Sequence, residues 1–347
     1  MDRCQNTNFI EKHVPKNFFK KEVWEALPLN IRKLFMNVPL AYIKDMEEIR
    51  LRTYKPLMIG VGNKDFFIGK TGDITPHISQ SYIVTKSDIE KTYQLITDYS
   101  VYALEEEIKN GFLTIKGGHR VGICGRAVLN KRQVKTMKDI SGLNIRISKE
   151  KLGISQGIMS HLVENNEFHN TLIISPPQCG KTTLLRDIIR NLSNGMKNLN
   201  FSGFKVGVVD ERSEICGIYQ GVPQNDVGIR TDILDACPKA EGMMMLIRSM
   251  SPQVIATDEI GKKEDIYAIE EALNAGINLI TTVHGKDMEE IMRRPNMNHL
   301  LLQGVFKRII ILTNQPKVGT IRSIVDGTNN KVLASYSLEE RRHDYVS

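Results

Sequence analysis

The sequence is poor in cysteine, in aromatic residues and in long apolar runs. Its 347 residues include only five cysteines, an odd number without a CxxC pair, so neither a disulfide framework nor a zinc site is predicted. No apolar run reaches the roughly 18 residues that a membrane-spanning helix needs. Lysines between Lys12 and Lys21 interrupt any signal-peptide core. We therefore expect a protein of a reducing compartment, with no transmembrane segment of its own and at most a peripheral role at a membrane.

The charge of the chain is unevenly distributed. Residues 1–150 contain 25 Lys and Arg against 17 Asp and Glu, a net charge of +8, whereas residues 151–347 contain 22 against 23, a net charge of −1. A lysine-rich solvated surface would account for this excess. The alternatives are an acidic partner, an anionic lipid surface, or phosphates that are bound by a neighbouring subunit.

The length predicts about two domains, and the first of them is placed at residues 1–150. Residues 20–48 have a helical periodicity that two prolines interrupt. A capping box at Thr85–Asp88 predicts a helix that continues to Ile108. Short strands of two-residue period precede and follow this helix. The pattern predicts a small α+β domain.

The second domain is placed at residues 151–330, and residues 331–347 form a polar C-terminal tail. Apolar runs of four to six residues alternate with helical segments throughout the second domain. Such strands are typical of a parallel sheet that is covered by helices on both faces. The sequence therefore predicts an α/β fold for this part.

A phosphate-binding loop is the strongest single feature of the second domain. The apolar strand Thr171–Ser175 leads through this loop into a helix that begins at Lys181, which is the setting of a Walker A motif. Backbone N–H groups and the helix dipole would hold the phosphates, Lys181 would neutralise them, and the Thr182 hydroxyl would ligate Mg²⁺. Ser175 replaces the first glycine of the motif and tolerates positive φ less well. The predicted nucleotide-binding residues are Ser175, Pro176, Pro177, Gln178, Cys179, Gly180, Lys181, Thr182 and Thr183.

A Walker B pattern follows later in the chain. The apolar strand Val254–Thr257 ends at Asp258 and Glu259, and we expect this strand to lie beside the phosphate loop. We assign Asp258 to Mg²⁺ and Glu259 to activation of the attacking water, although the two roles are interchangeable at this stage.

Two further strands end in polar residues. Val206–Asp210 continues into Glu211 and Glu214, and any of the three acids is a candidate for the same metal–water cluster because parallel strands end at one edge of a sheet. Another strand ends at His284, which is a candidate to sense the γ-phosphate through Thr282.

In chain order, these motifs resemble the secretion-type ATPases, which power type II and type IV secretion and the assembly and retraction of pili. Met245–Pro252 resembles their arginine-containing segment, so Arg248 joins Glu259, Glu211 and His284 as a candidate catalytic residue. The resemblance implies a RecA-like P-loop motor domain with a smaller N-terminal α+β domain, ATP and Mg²⁺ as cofactors, and a ring of six subunits. Candidates to reach a neighbour's phosphates are Arg120, Arg126 and Arg146, and candidates within the motor are Arg212, Arg230 and Arg248.

A narrower resemblance covers roughly residues 45–330 and concerns a family of sporulation proteins of endospore-forming bacteria. It rests on Tyr102–Gly111, Gly117–Gly125 and Val209–Glu214. It implies a cytoplasmic protein on the mother-cell side of the membrane that faces the forespore. There it would energise a secretion-like channel formed by membrane-embedded partners.

Two other functions are compatible with the same motifs. A nucleic-acid translocase would use the basic first domain, but aromatic residues make up only 6% of the chain and no basic stripe is interleaved with them, so no nucleic-acid partner is expected. A nucleotide-gated docking scaffold with little turnover is the other alternative. It is motivated by Ser175 and by Glu259–Lys262, where the secretion-type family has an acid–Met–Arg–Asp sequence.

Overall fold

The computed structural model describes residues 20–62, 64–98, 104–130 and 133–335. The chain divides into two units, of which the first extends to Lys149 and includes Tyr219–Gln224, and the second comprises Glu150–Ile218 and the chain from Asn225 onward. The predictions for the N-terminal lysines Lys12 and Lys16 and for most of the C-terminal tail lie outside the described residues.

Within the described ranges, the first unit consists of a seven-stranded antiparallel sheet and five helices. Its strands are β1 (Met46–Arg52), β2 (Met58–Val61), β3 (Lys64–Ile68), β4 (Ile74–Thr75), β5 (Phe112–Ile115), β6 (His119–Asn130) and β7 (Gln133–Arg146). Its helices are α1 (Lys21–Glu25), α2 (Leu29–Phe35), α3 (Leu40–Asp45), α4 (Lys86–Ile96) and α5 (Glu105–Lys109). The sheet order is β4-β3-β2-β1-β7-β6-β5, and one apolar core that includes Trp24 and Ile49 joins the sheet to the helices.

The predicted capping box opens α4. The Thr85 hydroxyl accepts a hydrogen bond from the Asp88 N–H at 3.2 Å, and the Asp88 carboxylate accepts one from the Thr85 N–H at 2.8 Å. The prediction that this helix continues to Ile108 is wrong. The Thr97 hydroxyl bonds back to carbonyl oxygens of the last turn, and Asp98 adopts a φ of +47°, which a right-handed helix cannot accommodate. Ile108 belongs to α5 instead.

The second unit is a larger sheet with helices on both faces. The strands of this sheet are β10 (Thr171–Ser175), β11 (Val206–Asp210), β14 (Thr231–Asp235), β15 (Val254–Thr257), β16 (Asn278–His284), β17 (Arg308–Thr313), β18 (Thr320–Asp326) and β19 (Val332–Ser335). A separate two-stranded sheet is formed by β8 (Val163–Glu164) and β9 (Glu167–Phe168). Another is formed by β12 (Ile218–Tyr219) and β13 (Val222–Pro223), which lie almost entirely in the segment that belongs to the first unit. The helices are α6 (Met159–Leu162), α7 (Lys181–Asn194), α8 (Lys239–Ser249), α9 (Lys263–Asn274), α10 (Met288–Met292) and α11 (Pro295–Leu302).

The strand order places the site at the middle of this sheet. The order is β14-β11-β15-β16-β10-β17-β18-β19, in which the strands from β14 to β17 are parallel and the last two are antiparallel. One apolar core lies against α7 and the other against α8 and α9, so both faces are covered as predicted. The end of the Walker B strand lies beside the phosphate loop as predicted, with Asp258 in contact with Thr182, although β16 separates β15 from β10 in the strand order. The antiparallel strands extend the sheet beyond residue 330.

Candidate nucleotide-binding site

The phosphate loop connects the buried end of β10 to the start of α7. Gly180 caps the helix with φ +79°, a left-handed conformation that glycine adopts without strain. Ser175 is the fully buried last residue of β10 and has no positive φ, so its replacement of glycine introduces no backbone strain. The left-handed non-glycine residue of the loop is Gln178, at φ +59°. The loop therefore leaves the helix N-terminus and Lys181 directed at one edge of the sheet.

Lys181 is paired with both Walker B acids. Its side chain is only 9% exposed, and Nζ lies 2.5 Å from Glu259 Oε1 and 3.6 Å from Asp258 Oδ1. A buried ammonium group needs such partners, because an unpaired charge in this position would be strongly destabilising. The loop lysine and the two acids thus form a single charged cluster, although β16 separates the strand that leads to the loop from the strand that precedes the acids.

Asp258 lies between two threonine hydroxyls. Thr182 Oγ1 donates a hydrogen bond to Oδ2 at 3.1 Å, and the Thr282 hydroxyl donates one to Oδ1. The Thr282 oxygen also accepts the Glu259 N–H at 3.0 Å, so this one side chain fixes both acids. A hydroxyl and a carboxylate in contact are the oxygen ligands that Mg²⁺ uses alongside water and phosphate oxygens. Thr182 and Asp258 therefore fit a magnesium site.

Glu259 is surrounded by cationic or potentially cationic groups. Besides Lys181, its carboxylate lies 2.7 Å from His284 Nε2 and 3.5 Å from Arg212 Nη1. Burial by itself would raise the pKa of Glu259, but the Lys181 hydrogen bond and the surrounding charges hold it below its usual range. Glu259 is thus ionised at neutral pH and is oriented from three sides.

Asp210 does not face the site as a free ligand. It is 2% exposed, and its carboxylate accepts hydrogen bonds from the backbone N–H groups of Glu214, Ile215 and Cys216 at 2.8–3.0 Å. Burial, together with the charge of Asp235, raises its pKa to about 6 against the opposing effect of these donors. The interpretation of Asp210 as a metal candidate is therefore not supported by its surroundings, and its observed contacts brace the loop that follows β11.

Arg186 holds the same loop from the other side. It lies on α7, and its guanidinium donates to the carbonyl oxygens of Ile215 at 2.5 Å and Glu214 at 2.7 Å. The Asp210 carboxylate thus accepts hydrogen bonds from the N–H groups of this loop, and the Arg186 guanidinium donates to its carbonyl oxygens. Together these bonds restrict the conformation of the loop. The sequence analysis missed Arg186, since no local signal marks it.

Glu211 lines one small cavity together with Asp258 and Glu259, whereas Arg248 lines a separate surface pocket between α8 and α9. Glu211 forms an ion pair with Lys239 at the start of α8, and its other oxygen lies 3.9 Å from Lys262 Nζ. Both lysines were missed by the sequence analysis. Arg248 is exposed in the last turn of α8. No phosphate-loop residue lines the pocket that contains Arg248, so among the described residues the structure does not bring Arg248 to the phosphate loop of its own chain.

Strained backbone conformations collect at the same edge of the sheet. Gln178, Ser213, Ala236 and Glu259 all have positive φ, and each follows shortly after the end of a parallel strand. Such conformations are unfavourable for residues with a Cβ and are common at functional sites. The strain therefore marks the edge at which Lys181 and the acids meet.

A cavity of about 410 Å³ adjoins the phosphate loop. It lies within the second unit and is lined mainly by apolar and small residues. Ile154 and Ile158 line it from the segment before α6, Thr183 and Leu184 from α7, and Lys317–Ile321 from the loop between β17 and β18. Its size is in the range of pockets that hold small-molecule ligands. It offers space for the base and ribose of a nucleotide whose phosphates lie at Gly180.

Residues 18–332 match the family described as sporulation stage III, protein AA. The chain belongs to this family. It is 42% identical over 309 residues to stage III sporulation protein AA of Bacillus subtilis, a match that covers 89% of this chain and 96% of the relative. The narrower resemblance to a sporulation family is therefore confirmed.

Solved structures confirm the predicted fold of this sporulation stage III, protein AA family member. The pilus retraction motor PilT, solved with bound ADP, superposes with a TM-score of 0.54 at 14% identity, over 88% of this chain and 83% of PilT. The DotB ATPase of Yersinia pseudotuberculosis gives 0.52 at 15% identity, over 87% and 77%. At this identity the likeness concerns the fold alone, which is a RecA-like α/β domain with a smaller N-terminal α+β domain.

In the described ranges, no group of three or more His, Cys, Asp and Glu side chains is arranged to hold a metal ion by itself. No helix in those same ranges is long and apolar enough to cross a bilayer.

Proposed function

We propose that this chain is a Mg²⁺-dependent ATPase that hydrolyses ATP to ADP and phosphate and couples this reaction to movement of its subunits. The observation that carries the proposal is the cluster of Lys181, Thr182, Asp258 and Glu259 at one edge of the parallel sheet. The proposal assigns residues 1–150 to the N-terminal domain, residues 151–335 to the motor domain and residues 336–347 to a tail. The tail predicted from residue 331 starts too early, because β19 at Val332–Ser335 belongs to the sheet.

The phosphates would be held by the loop itself. Backbone N–H groups between Cys179 and Thr182 and the positive end of the α7 dipole would bind them, and Lys181 would move from Glu259 onto the β- and γ-phosphates. Mg²⁺, held by the Thr182 hydroxyl and Asp258, would neutralise phosphate charge when bound. The nucleoside would occupy the cavity that Ile158 and Leu184 line.

Glu259 would act as the base for the attacking water. In the structure, the ion pair with Lys181 lowers its pKa, whereas burial acts in the opposite direction. Once Lys181 contacts phosphate, the pKa of Glu259 would rise and its carboxylate would accept a proton more readily. His284 and Arg212 would keep it oriented during this exchange. Glu211 would act from the rim of the site, where Lys239 fixes it.

The family and the fold support a proposal for the assembly and the location. We propose a ring of six subunits in which Arg248, remote from its own phosphate loop, acts on the nucleotide of a neighbour. The ring would work in the mother-cell cytoplasm, peripheral to the membrane that faces the forespore, and would drive a membrane-embedded, secretion-like channel complex.

The test is steady-state phosphate release by purified protein in the presence of ATP and Mg²⁺. Lys181→Ala and Glu259→Gln should each lower the rate at least about a hundredfold, whereas Lys263→Ala, on the exposed start of α9, should leave it unchanged. Equal rates in all four proteins would refute the assignment of hydrolysis to this site.

A further inference from the structure

The first unit carries a two-stranded extension that no other described strand pairs with. β5 pairs with β6 only up to Gly122, and β1 pairs with β7 only from Gly142 onward. Between these points β6 and β7 pair only with each other, out to Asn130 and Gln133. We call residues 125–130 and 133–139 the basic ribbon. The five paired positions beyond the bend give the basic ribbon a length of about 17 Å, and Met137 among them packs against the core of the unit.

The basic ribbon is set off from the sheet by its backbone geometry. The register shifts between Cys124 and Arg126, and Asp139 on the opposite strand has a φ of +48°. A Cβ on Gly125 would lie 2.7 Å from the Lys138 carbonyl oxygen, so only glycine fits at this bulge. Bulges of this kind bend and twist a ribbon away from the plane of its sheet.

The charges of the basic ribbon do not stabilise the ribbon itself. Residues 125–139 contain five Lys and Arg against one acidic residue, and two of the five, Lys131 and Arg132, lie outside the described residues. Arg126 lies directly opposite Lys138 across the strands, an unfavourable like-charge pair. Among the described residues, the one acid, Asp139, is paired with Arg126, and this ion pair is exposed and contributes little.

The last described pair of the basic ribbon, Asn130 and Gln133, is polar, and an apolar pair lies next to it. This pair, which we call the apolar tip, consists of Leu129, which is 62% exposed, and Val134. An exposed apolar side chain on a cation-rich hairpin, whose strands beyond the bend pair with no other described strand, indicates an interaction surface. Lys135 and Lys138 follow Val134 on β7, so they lie closer to the sheet than the apolar tip does.

From this arrangement we infer that the basic ribbon docks on an anionic membrane surface. Its apolar tip, Leu129 and Val134, enters the headgroup region, while Arg126, Lys135 and Lys138 contact anionic lipid headgroups. Amphipathic lysine and arginine side chains suit this depth, because their stems are apolar and their ends are charged. The surface is independent of the nucleotide site, which lies in the second unit.

The composition of the basic ribbon favours a bilayer over a nucleic acid. No aromatic residue occurs anywhere in residues 119–146, so bases have no side chain on which to stack. An apolar tip adds nothing to phosphate-backbone binding, whereas it adds directly to insertion between lipids.

The inference is tested by co-flotation of the full chain with vesicles. Wild type should float with vesicles rich in phosphatidylglycerol and not with pure phosphatidylcholine vesicles, and added salt should weaken the binding. Lys135→Gln combined with Lys138→Gln should lower partitioning about 25-fold, at about fivefold for each cation. Lys55→Gln combined with Lys91→Gln, two exposed lysines elsewhere in the unit, should leave it unchanged. Equal thermal midpoints of the variants exclude misfolding as the cause.

A tryptophan at the tip gives a second readout. The one native tryptophan, Trp24, is 1% exposed, so a blue shift of emission in Leu129→Trp on adding phosphatidylglycerol vesicles reports insertion of the tip. The inference is overturned if wild type ignores anionic vesicles at low salt. It is also overturned if the Lys135/Lys138 variant floats like wild type, or if that variant loses single-stranded DNA binding while its vesicle binding is unchanged.

Discussion

The contact between Lys181 and Glu259 predicts that nucleotide binding must first break an ion pair inside the protein. The two side chains are largely buried, and Nζ and Oε1 are 2.5 Å apart. Hydrogen bonds between charged partners contribute roughly 1.5–3 kcal/mol, and the lower part of this range applies because Glu259 retains contact with solvent. Glu259→Gln should therefore bind nucleotide about 10- to 30-fold more tightly while hydrolysing it far more slowly.

Two further variants separate this competition from simple repulsion between Glu259 and the phosphates. Glu259→Asp keeps the negative charge but withdraws it from Lys181 by about one bond length, so it should retain part of the gain in affinity. Repulsion alone predicts no gain for this variant. Glu264→Gln removes an exposed acid on α9 and should behave as wild type. The assay is titration with a fluorescent, slowly hydrolysed ATP analogue in the presence of Mg²⁺. Unchanged or weaker binding by Glu259→Gln would refute the reasoning.

Three more predictions concern the supports of the site. Because the pKa of Asp210 is raised to about 6, the free energy of unfolding should be highest below about pH 4 and should fall by about 3 kcal/mol as the pH rises through about 6. Asp210→Asn should abolish this pH dependence. The measurement is denaturant unfolding across that pH range. Arg186→Met should destabilise the protein by about 2–4 kcal/mol in the same assay, because two loop carbonyl oxygens lose a charged donor, whereas Arg248→Met should not. Thr282→Val should lower kcat at least about tenfold, because both Walker B acids lose the hydroxyl group that they share. Nucleotide affinity should stay within about threefold of wild type. Phosphate release measures kcat, and titration with the ATP analogue measures affinity.

Local rules explain which parts of the fold were predictable. β10 and the start of α7 at Lys181 follow from a short apolar run and a glycine at the helix N-terminus. The capping box of α4 needs only Thr85 and Asp88, three residues apart. The premature end of α4 was not predictable in this way, because helical periodicity continues past Asp98 and only its backbone conformation ends the helix.

Relations between distant residues explain what was not predictable. The insertion of β16 between β10 and β15 depends on strand order, which periodicity does not encode. In the sequence, Arg186 is an ordinary residue of an amphipathic helix. Its role depends on its contact with the loop after β11, which is distant along the chain. Lys239 and Lys262 read as solvated lysines, yet both lie near Glu211. The types of residue at the site were evident from sequence, whereas their partners were not.

The two strands that end in paired acids show why similar sequences have different chemistry. Successive residues of an extended chain point in opposite directions, so two adjacent acids normally diverge. This holds after β11, where Asp210 is buried against its own loop and Glu211 turns to the rim; neither has a positive φ. After β15, the left-handed conformation of Glu259 reverses the divergence, and both Asp258 and Glu259 reach Lys181. The strained φ of one residue therefore distinguishes a strand end that can serve a phosphate from one that braces a loop.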